Sequence, residues 1–210
     1  GVVGRPRVHN LQLTFAAEMR SSATAPWMKA TATQFESFAP PARLFHMRAS
    51  RSGIPFDVFH RYVDDAATFQ VRIAGLVPMV NKSGGGITND ETVTLMNDVI
   101  VLAPAAVLDL PFSFAEAGER TLRATFHNAG FIVHAVLTFD AAGDLVGFVS
   151  DDRAHDRDGG AATWSTPISD YREVDGIRIG ARGDANWIDK DGEWTYGRFE
   201  ITSLAYNVSR

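Results

Sequence analysis

The sequence predicts a mainly β fold (α+β) in which a strongly curved antiparallel sheet, or half-barrel, wraps around one main helix. Apolar and polar residues alternate with period two over most of the chain, which is typical of half-buried strands. Turn sequences separate these segments at hairpin spacing. One segment, at about residues 88–103, repeats instead with the period of a helix.

The first half of the chain contains five predicted strands. In the first, Leu11 and Leu13 fall on one face, and Gln12 falls on the other. Pro40 and Pro41 mark a turn, because proline cannot donate a hydrogen bond inside a central strand. The predicted strands cover residues 8–19, 27–35, 43–50, 56–62 and 67–76.

The predicted helix begins at Thr88 and ends at about Ala103, just before a proline. Thr88 and Glu91 have the spacing of a capping box, in which the two side chains satisfy free N–H groups of the first turn. The preceding Gly84–Gly86 run can expose a helix N-terminus to an anion, but a flexible entry loop is the favoured interpretation.

The second half returns to alternation. The predicted strands cover residues 122–126, 131–139, 145–149, 165–173, 177–188 and 194–206. Asp175-Gly176 and Asp191-Gly192 favour tight hairpins, because glycine tolerates a positive φ. Further turns are predicted at residues 128–130 and 140–143.

Composition limits the domain organisation. The 210 residues show no composition break or repeat, so one domain over residues 1–210 is expected. The chain begins without Met, and we expect a short upstream N-terminal segment to be missing. The longest apolar run, residues 99–108, is about half of the roughly 20 residues needed to cross a bilayer. We therefore expect a soluble domain, whose compartment, cytoplasmic or facing the cell envelope, stays open.

Composition also excludes several functions. The net charge of −5 argues against a nucleic-acid partner, because phosphate binding requires a basic surface. The absence of cysteine excludes disulfides and thiolate chemistry. The oligomeric state is left open.

Catalytic motifs are absent from the sequence. No P-loop and no nucleophile elbow occurs. His127 and His134 can approach each other across a hairpin, but two structural histidines are favoured over a metal site. We predict no metal and no cofactor. The candidate acid/base residues, if there is catalysis, are His46, Asp57, His60 and Asp152.

The densest charged segment covers residues 151–158. An exposed hairpin tip is the favoured interpretation of Asp156–Asp158. Arg153 lies nearer the strand and can point inward. A buried arginine there can anchor a carboxylate or phosphate headgroup, because its guanidinium donates two parallel hydrogen bonds.

Aromatic residues are abundant enough to form a pocket with polar tips on a concave sheet, although packing of the sheet onto its helix can use the same residues. The candidate ligand-binding residues are Trp27, Phe45, Phe59, Tyr62, Met96, Phe126, Arg153, Trp164, Tyr171 and Trp187.

A family resemblance extends over nearly the whole chain. Segments 4–8, 62–80, 123–126, 137–143 and 176–179, with Arg153, Trp164, Tyr171, Trp187 and Tyr196, resemble a bacterial family catalogued as a domain of unknown function. The resemblance implies a fold similar to bacterial lipoprotein carriers, a half-barrel closed by helix, and implies no catalytic residues. Two departures, Ala154 and residues 101–105, replace aromatic positions of the family and put a shared ligand in doubt.

The sequence alone does not reveal the biochemical function. We expect binding of a hydrophobic or amphipathic small molecule, lipid-like or aromatic, in a cavity between sheet and helix. The alternative is an enzyme of hydrolase or isomerase type that uses acid/base residues in the same cavity. A structural domain whose cavity is filled by its own side chains is the third possibility.

Overall fold

The computed structural model describes residues 7–154 and 162–209. These residues form thirteen strands, a long helix α1 and a short 3-10 helix, in agreement with the predicted mainly β class. The strands are β1 (Asn10–Met19), β2 (Met28–Phe38), β3 (Pro41–Arg51), β4 (Ile54–Val63), β5 (Ala66–Ile73), β6 (Val77–Ser83), β7 (Phe112–Gly118), β8 (Thr121–Asn128), β9 (Phe131–Phe139), β10 (Leu145–Ser150), β11 (Thr163–Val174), β12 (Ile177–Asp189) and β13 (Gly192–Tyr206). Helix α1 is Gly85–Leu102, and the 3-10 helix is Pro104–Asp109.

All the described strands belong to one antiparallel sheet with the order β6-β5-β4-β3-β2-β1-β13-β12-β11-β10-β9-β8-β7. Each strand pairs with a sequence neighbour, and one additional pair joins β1 to β13. The edge strands β6 and β7 do not pair with each other; α1 connects them and contacts strands from both halves of the sheet. The sheet is therefore an unclosed half-barrel with the helix on its concave side, as predicted.

The two edge strands were not predicted. The predicted strand 67–76 ends in the structure at Ile73, and β6 follows after a short turn. Most residues of β6 and β7 are exposed, so neither strand has the buried face that produces period-two alternation. Pro78 is tolerated in β6 because an edge strand has N–H groups without a partner strand.

The hairpin turns depend on residues with positive φ. The predicted Asp175-Gly176 turn has φ values of 50° and 76°. Asp64 and Asp65, which connect β4 to β5, have φ values of 55° and 59°. Aspartate tolerates this left-handed region better than most side chains, so the turn forms without glycine.

The predicted start of the helix was wrong. Helix α1 begins at Gly85, and Thr88 lies one turn inside it. The Thr88 hydroxyl donates to the Gly84 carbonyl oxygen at 3.0 Å and accepts from the Ala67 N–H at 3.2 Å. Glu91 turns away from the helix N-terminus. The predicted capping box therefore does not form, and two glycines of the predicted entry loop belong to the first helical turn.

Helix α1 is buried on most sides. Val93, Met96 and Ile100 pack in the larger of two apolar clusters, together with strands from both halves of the sheet. The smaller cluster lies on the inner face of β1–β4 and includes Phe45 and Met47. Between this second cluster and the opposite side of the helix, a space remains.

Candidate ligand cavity

A cavity of about 580 Å³ lies between α1 and the concave face of the sheet. This volume falls within the roughly 300–1,000 Å³ that is common for small-molecule sites. Its sheet side is mainly apolar, because alternate residues of each strand point inward. The apolar wall includes Phe15, Met28, Phe45, Met47, Phe56, Val58, Phe69, Ile168, Phe199 and Ile201.

The helix side of the cavity is mainly polar. Asp90, Thr94 and Asn97 recur at the spacing of one helix face, and Glu91 and Asp98 lie beside them. The cavity therefore has walls of opposite character, one for an apolar group and one for hydrogen-bonding groups.

A buried hydrogen-bond network centres on Arg43 of β3. Its Nε donates to Asp98 Oδ2 at 2.7 Å, and its Nη1 donates to Glu91 Oε2 at 3.1 Å. Its Nη2 donates to Gln34 Oε1 at 3.1 Å. The Gln34 amide in turn donates to Glu36 Oε1 at 2.7 Å. The guanidinium thus donates to two carboxylates, Glu91 and Asp98, and lowers the cost of burying them.

Burial and neighbouring charges shift the pKa values of this network in opposite directions. Burial, reinforced by Asp98, raises the pKa of Glu36 well above its ordinary value and favours the protonated form. Burial alone would also raise the pKa of Glu91, but His60 and Arg43 lower it to about 2. Among the described atoms, Glu36 Oε2 is buried without a hydrogen-bond partner.

His60 brings an imidazole to the cavity wall. Its Nδ1 lies 2.5 Å from Glu91 Oε1. The rings of Phe45 and Phe69 pack edge-on against it, at centroid distances of 5.5 and 4.7 Å. A carboxylate bonded to one ring nitrogen fixes the orientation of the imidazole.

A second cationic group, Arg153, lines the cavity. Its guanidinium carbon lies 4.4 Å from the Trp164 ring centre and 5.5 Å from that of Trp187. Its Nη1 donates to the Tyr196 hydroxyl at 3.3 Å. Trp164 Nε1 donates to the same oxygen at 3.0 Å. We refer to Arg153, Trp164, Trp187 and Tyr196 as the aromatic box.

The candidate ligand-binding residues are distributed between the cavity and other places. Phe45, Arg153, Trp164 and Trp187 line the cavity. The remaining six do not line it. Tyr62, Met96 and Phe126 are in the larger apolar cluster. Trp27 contacts Arg20 and Arg198, Phe59 stacks on His46, and Tyr171 donates to the Leu145 carbonyl oxygen.

The candidate acid/base residues form separate pairs. His46 Nε2 lies 2.8 Å from Asp57 Oδ1. This pair is on the outer face, because the strand neighbours of both residues line the cavity. Asp152 accepts from the His134 backbone N–H at 2.6 Å and does not line the cavity. His60 is the one candidate that faces the cavity.

The two histidines weighed for a metal site do not meet. His127 is opposite Ile132 in the β8–β9 ladder, whereas His134 is opposite Thr125 and bonds to Asp152. Within residues 7–154 and 162–209, no group of three or more potential metal ligands forms. Asp156–Asp158, the predicted hairpin tip, lie outside the described residues.

Sequence reasoning missed the Arg43 network. Arg43 lies on the same face of its strand as Phe45 and Met47, and that alternation was sufficient to predict an inward-pointing side chain. Glu91 was assigned to the helix cap instead. Asp98 received no role.

Comparison with known families supports one assignment. A family model described as "Family of unknown function (DUF6544)" matches residues 1–199. The chain belongs to this family. No curated protein matches the sequence significantly.

One solved structure supports the fold, and a second is reported beside it. A domain from Vibrio parahaemolyticus, named for outer membrane lipoprotein sorting, matches with a TM-score of 0.52 and 9% identity, over 96% of this chain and 87% of that chain. A DUF1329 family protein from Desulfovibrio piger matches with a TM-score of 0.48 and 9% identity, over 97% of this chain and 88% of that chain. The first match shows a fold like that of lipoprotein carriers, as the resemblance implied. In the ranges 7–154 and 162–209, no helix is long and apolar enough to cross a membrane.

Proposed function

We propose that this DUF6544 protein binds an amphipathic small molecule in the cavity between α1 and the sheet. The observation that carries the proposal is the division of the cavity into an apolar sheet wall and a polar helix wall. An apolar chain is stabilised by transfer from water to the first wall, while a headgroup forms hydrogen bonds with the second. The name of the Vibrio neighbour, which concerns lipoproteins, is consistent with an acylated ligand.

The test is binding of an uncharged apolar fluorophore, N-phenyl-1-naphthylamine, to the purified chain. Ala181 lines the cavity and is buried, so Ala181→Phe places a ring in the binding space. We expect saturable fluorescence with the wild type and strongly reduced binding with this variant. Ala141→Phe, in an exposed turn outside the cavity, is the matched control.

Circular dichroism checks that both variants are folded. Absence of saturable binding to the wild type contradicts the proposal. Equal binding by wild type and a folded Ala181→Phe variant also contradicts it, because the fluorophore would then bind elsewhere.

The His60–Glu91 pair favours a second candidate, acid/base catalysis on a ligand held in the same cavity. An imidazole whose Nδ1 contacts a carboxylate can accept a proton through Nε2. Hydrolysis of p-nitrophenyl esters of increasing chain length tests this function, with His60→Gln as the variant. A rate above background that His60→Gln abolishes is expected; identical rates with and without His60 exclude the residue from any such reaction.

A further inference from the structure

We propose that the ligand class is an anionic amphiphile, and that Arg153 in the aromatic box binds its carboxylate or phosphate headgroup. This inference rests on the proposed function and adds the chemistry of the headgroup. It assigns separate roles to two of the arginines that line the cavity, since Arg43 holds the wall together and Arg153 binds the ligand.

Arg43 and Arg153 differ in the carboxylates that contact them. Arg43 is neutralised by Glu91 and Asp98, which its nitrogens contact at 3.1 and 2.7 Å. Arg153 has no carboxylate oxygen within 4.0 Å in the part of the chain that the structure describes. A partly buried guanidinium that none of these described carboxylates contacts directly binds an incoming anion at a smaller desolvation cost than a hydrated surface arginine.

Neighbouring side chains orient the Arg153 guanidinium. Trp164 and Trp187 contact the guanidinium by cation–π interaction, and the Tyr196 hydroxyl accepts a hydrogen bond from one of its N–H groups. A guanidinium has five N–H donors, and this interaction uses one. The remaining donors lie in the plane of the guanidinium, and two of them can form parallel bonds to a carboxylate or phosphate.

The surrounding backbone also holds Arg153 in place. Asn89 of α1 donates to the Asp152 carbonyl oxygen at 2.6 Å. Asp90 accepts from the Ala154 N–H at 3.0 Å. The residues on both sides of Arg153 are thus attached to the first half of α1, so the anchor is ordered before a ligand arrives and less entropy is lost on binding.

The aromatic box is continuous with the apolar wall of the cavity. Trp164 and Trp187 line the same cavity as Ile168 and Ala185, which lie further along β11 and β12. A headgroup at Arg153 therefore places its attached chain beside apolar side chains. Glu91 is influenced by the charge of Arg153, but its carboxylate is already bonded to His60 and Arg43.

The experiment compares three ligands of equal chain length, below their micelle-forming concentrations, with the purified chain. Dodecanoate and dodecyl phosphate carry the two possible anions, and dodecanol is the neutral reference. Isothermal titration calorimetry measures the three dissociation constants. We expect at least one anion to bind about tenfold more tightly than dodecanol, as a charge-assisted bidentate contact would produce. The tighter of the two anions identifies the headgroup as a carboxylate or a phosphate.

Arg153→Gln is expected to remove this preference, so that the two anions and dodecanol bind the variant with similar dissociation constants. Retained dodecanol binding shows that the variant has an intact cavity. Arg153→Lys keeps the charge but loses the bidentate geometry, and we expect an intermediate preference. Arg120→Gln is the matched control, because Arg120 is exposed and its change of net charge is the same.

The outcomes separate the two proposals. If all three ligands bind equally, or if the anion preference survives in Arg153→Gln and Arg153→Lys, the headgroup assignment is overturned while cavity binding stands. If none of the three ligands binds, the proposed function fails and the assignment fails with it.

Discussion

Replacing Glu91 with glutamine tests the electrostatic role of the Arg43 network. Contacts with His60 and Arg43 lower the pKa of Glu91 from 4.5 to about 2. At about 1.4 kcal/mol per pKa unit, the ionised side chain stabilises the folded state by about 3 kcal/mol at pH 7. Because the folded-state pKa is the lower one, this contribution is complete above pH 4.5 and is lost as the pH falls towards 2.

Urea unfolding at pH 7 and pH 3 measures the effect. Glu91→Gln is expected to lower the free energy of unfolding by about 3 kcal/mol at pH 7 and by about 1 kcal/mol at pH 3. The first value corresponds to a shift of roughly 1–2 M in the urea midpoint. Glu119→Gln, an exposed acidic position, is the control and is expected to change little.

A Glu91→Gln effect that is the same at both pH values would refute the reasoning. In that case the decrease in the free energy of unfolding would come from packing or hydrogen bonding, which do not depend on the ionisation of this carboxyl. A decrease in the free energy of unfolding below about 1 kcal/mol at pH 7 would also contradict the reasoning, because an exposed ion pair contributes that much.

Three further changes have expected outcomes. Burial raises the pKa of Glu36 in the folded state, so the stability that its protonated form contributes is lost as the pH rises above the ordinary value of 4.5. Glu36→Gln should therefore gain stability relative to wild type as the pH is raised from 5, measured by urea unfolding. Gly180→Ala should cost about 1–3 kcal/mol, because its Cβ would lie 2.1 Å from an isoleucine methyl, whereas Gly183→Ala should be nearly neutral by thermal unfolding. Arg43→Met should cost about 3–5 kcal/mol by leaving buried carboxylates unpaired, and the double variant with Glu91→Gln should cost less than the sum.

Strands were predicted correctly where one face of the segment is buried. The alternation of Leu11 and Leu13 with polar residues locates β1, and both leucines are fully buried. Such alternation is absent from β6 and β7, because both faces of an edge strand can remain in water. The helix start was missed because Thr88 bonds to a strand and to its own helix, which no local pattern reveals.

The candidate site was less predictable than the fold. Met96 and Thr94 belong to one buried helix, yet Met96 packs in the apolar cluster and Thr94 lines the cavity. Because both sides of α1 are covered, apolar spacing cannot distinguish core from cavity. The partners of Arg43 come from β2 and α1, and only the folded sheet brings them together.

The pairing of β1 with β13 has a consequence for assembly. The strand order consists of two meanders, β1–β6 and β7–β13, which meet along this seam and are connected in sequence by α1. Phe15 and Phe199 pack edge to face across the seam and line the cavity. Residues of both meanders line the cavity, so a bound ligand contacts both and stabilises their association. Amide hydrogen exchange in β1 and β13 should accordingly slow when the cavity is filled.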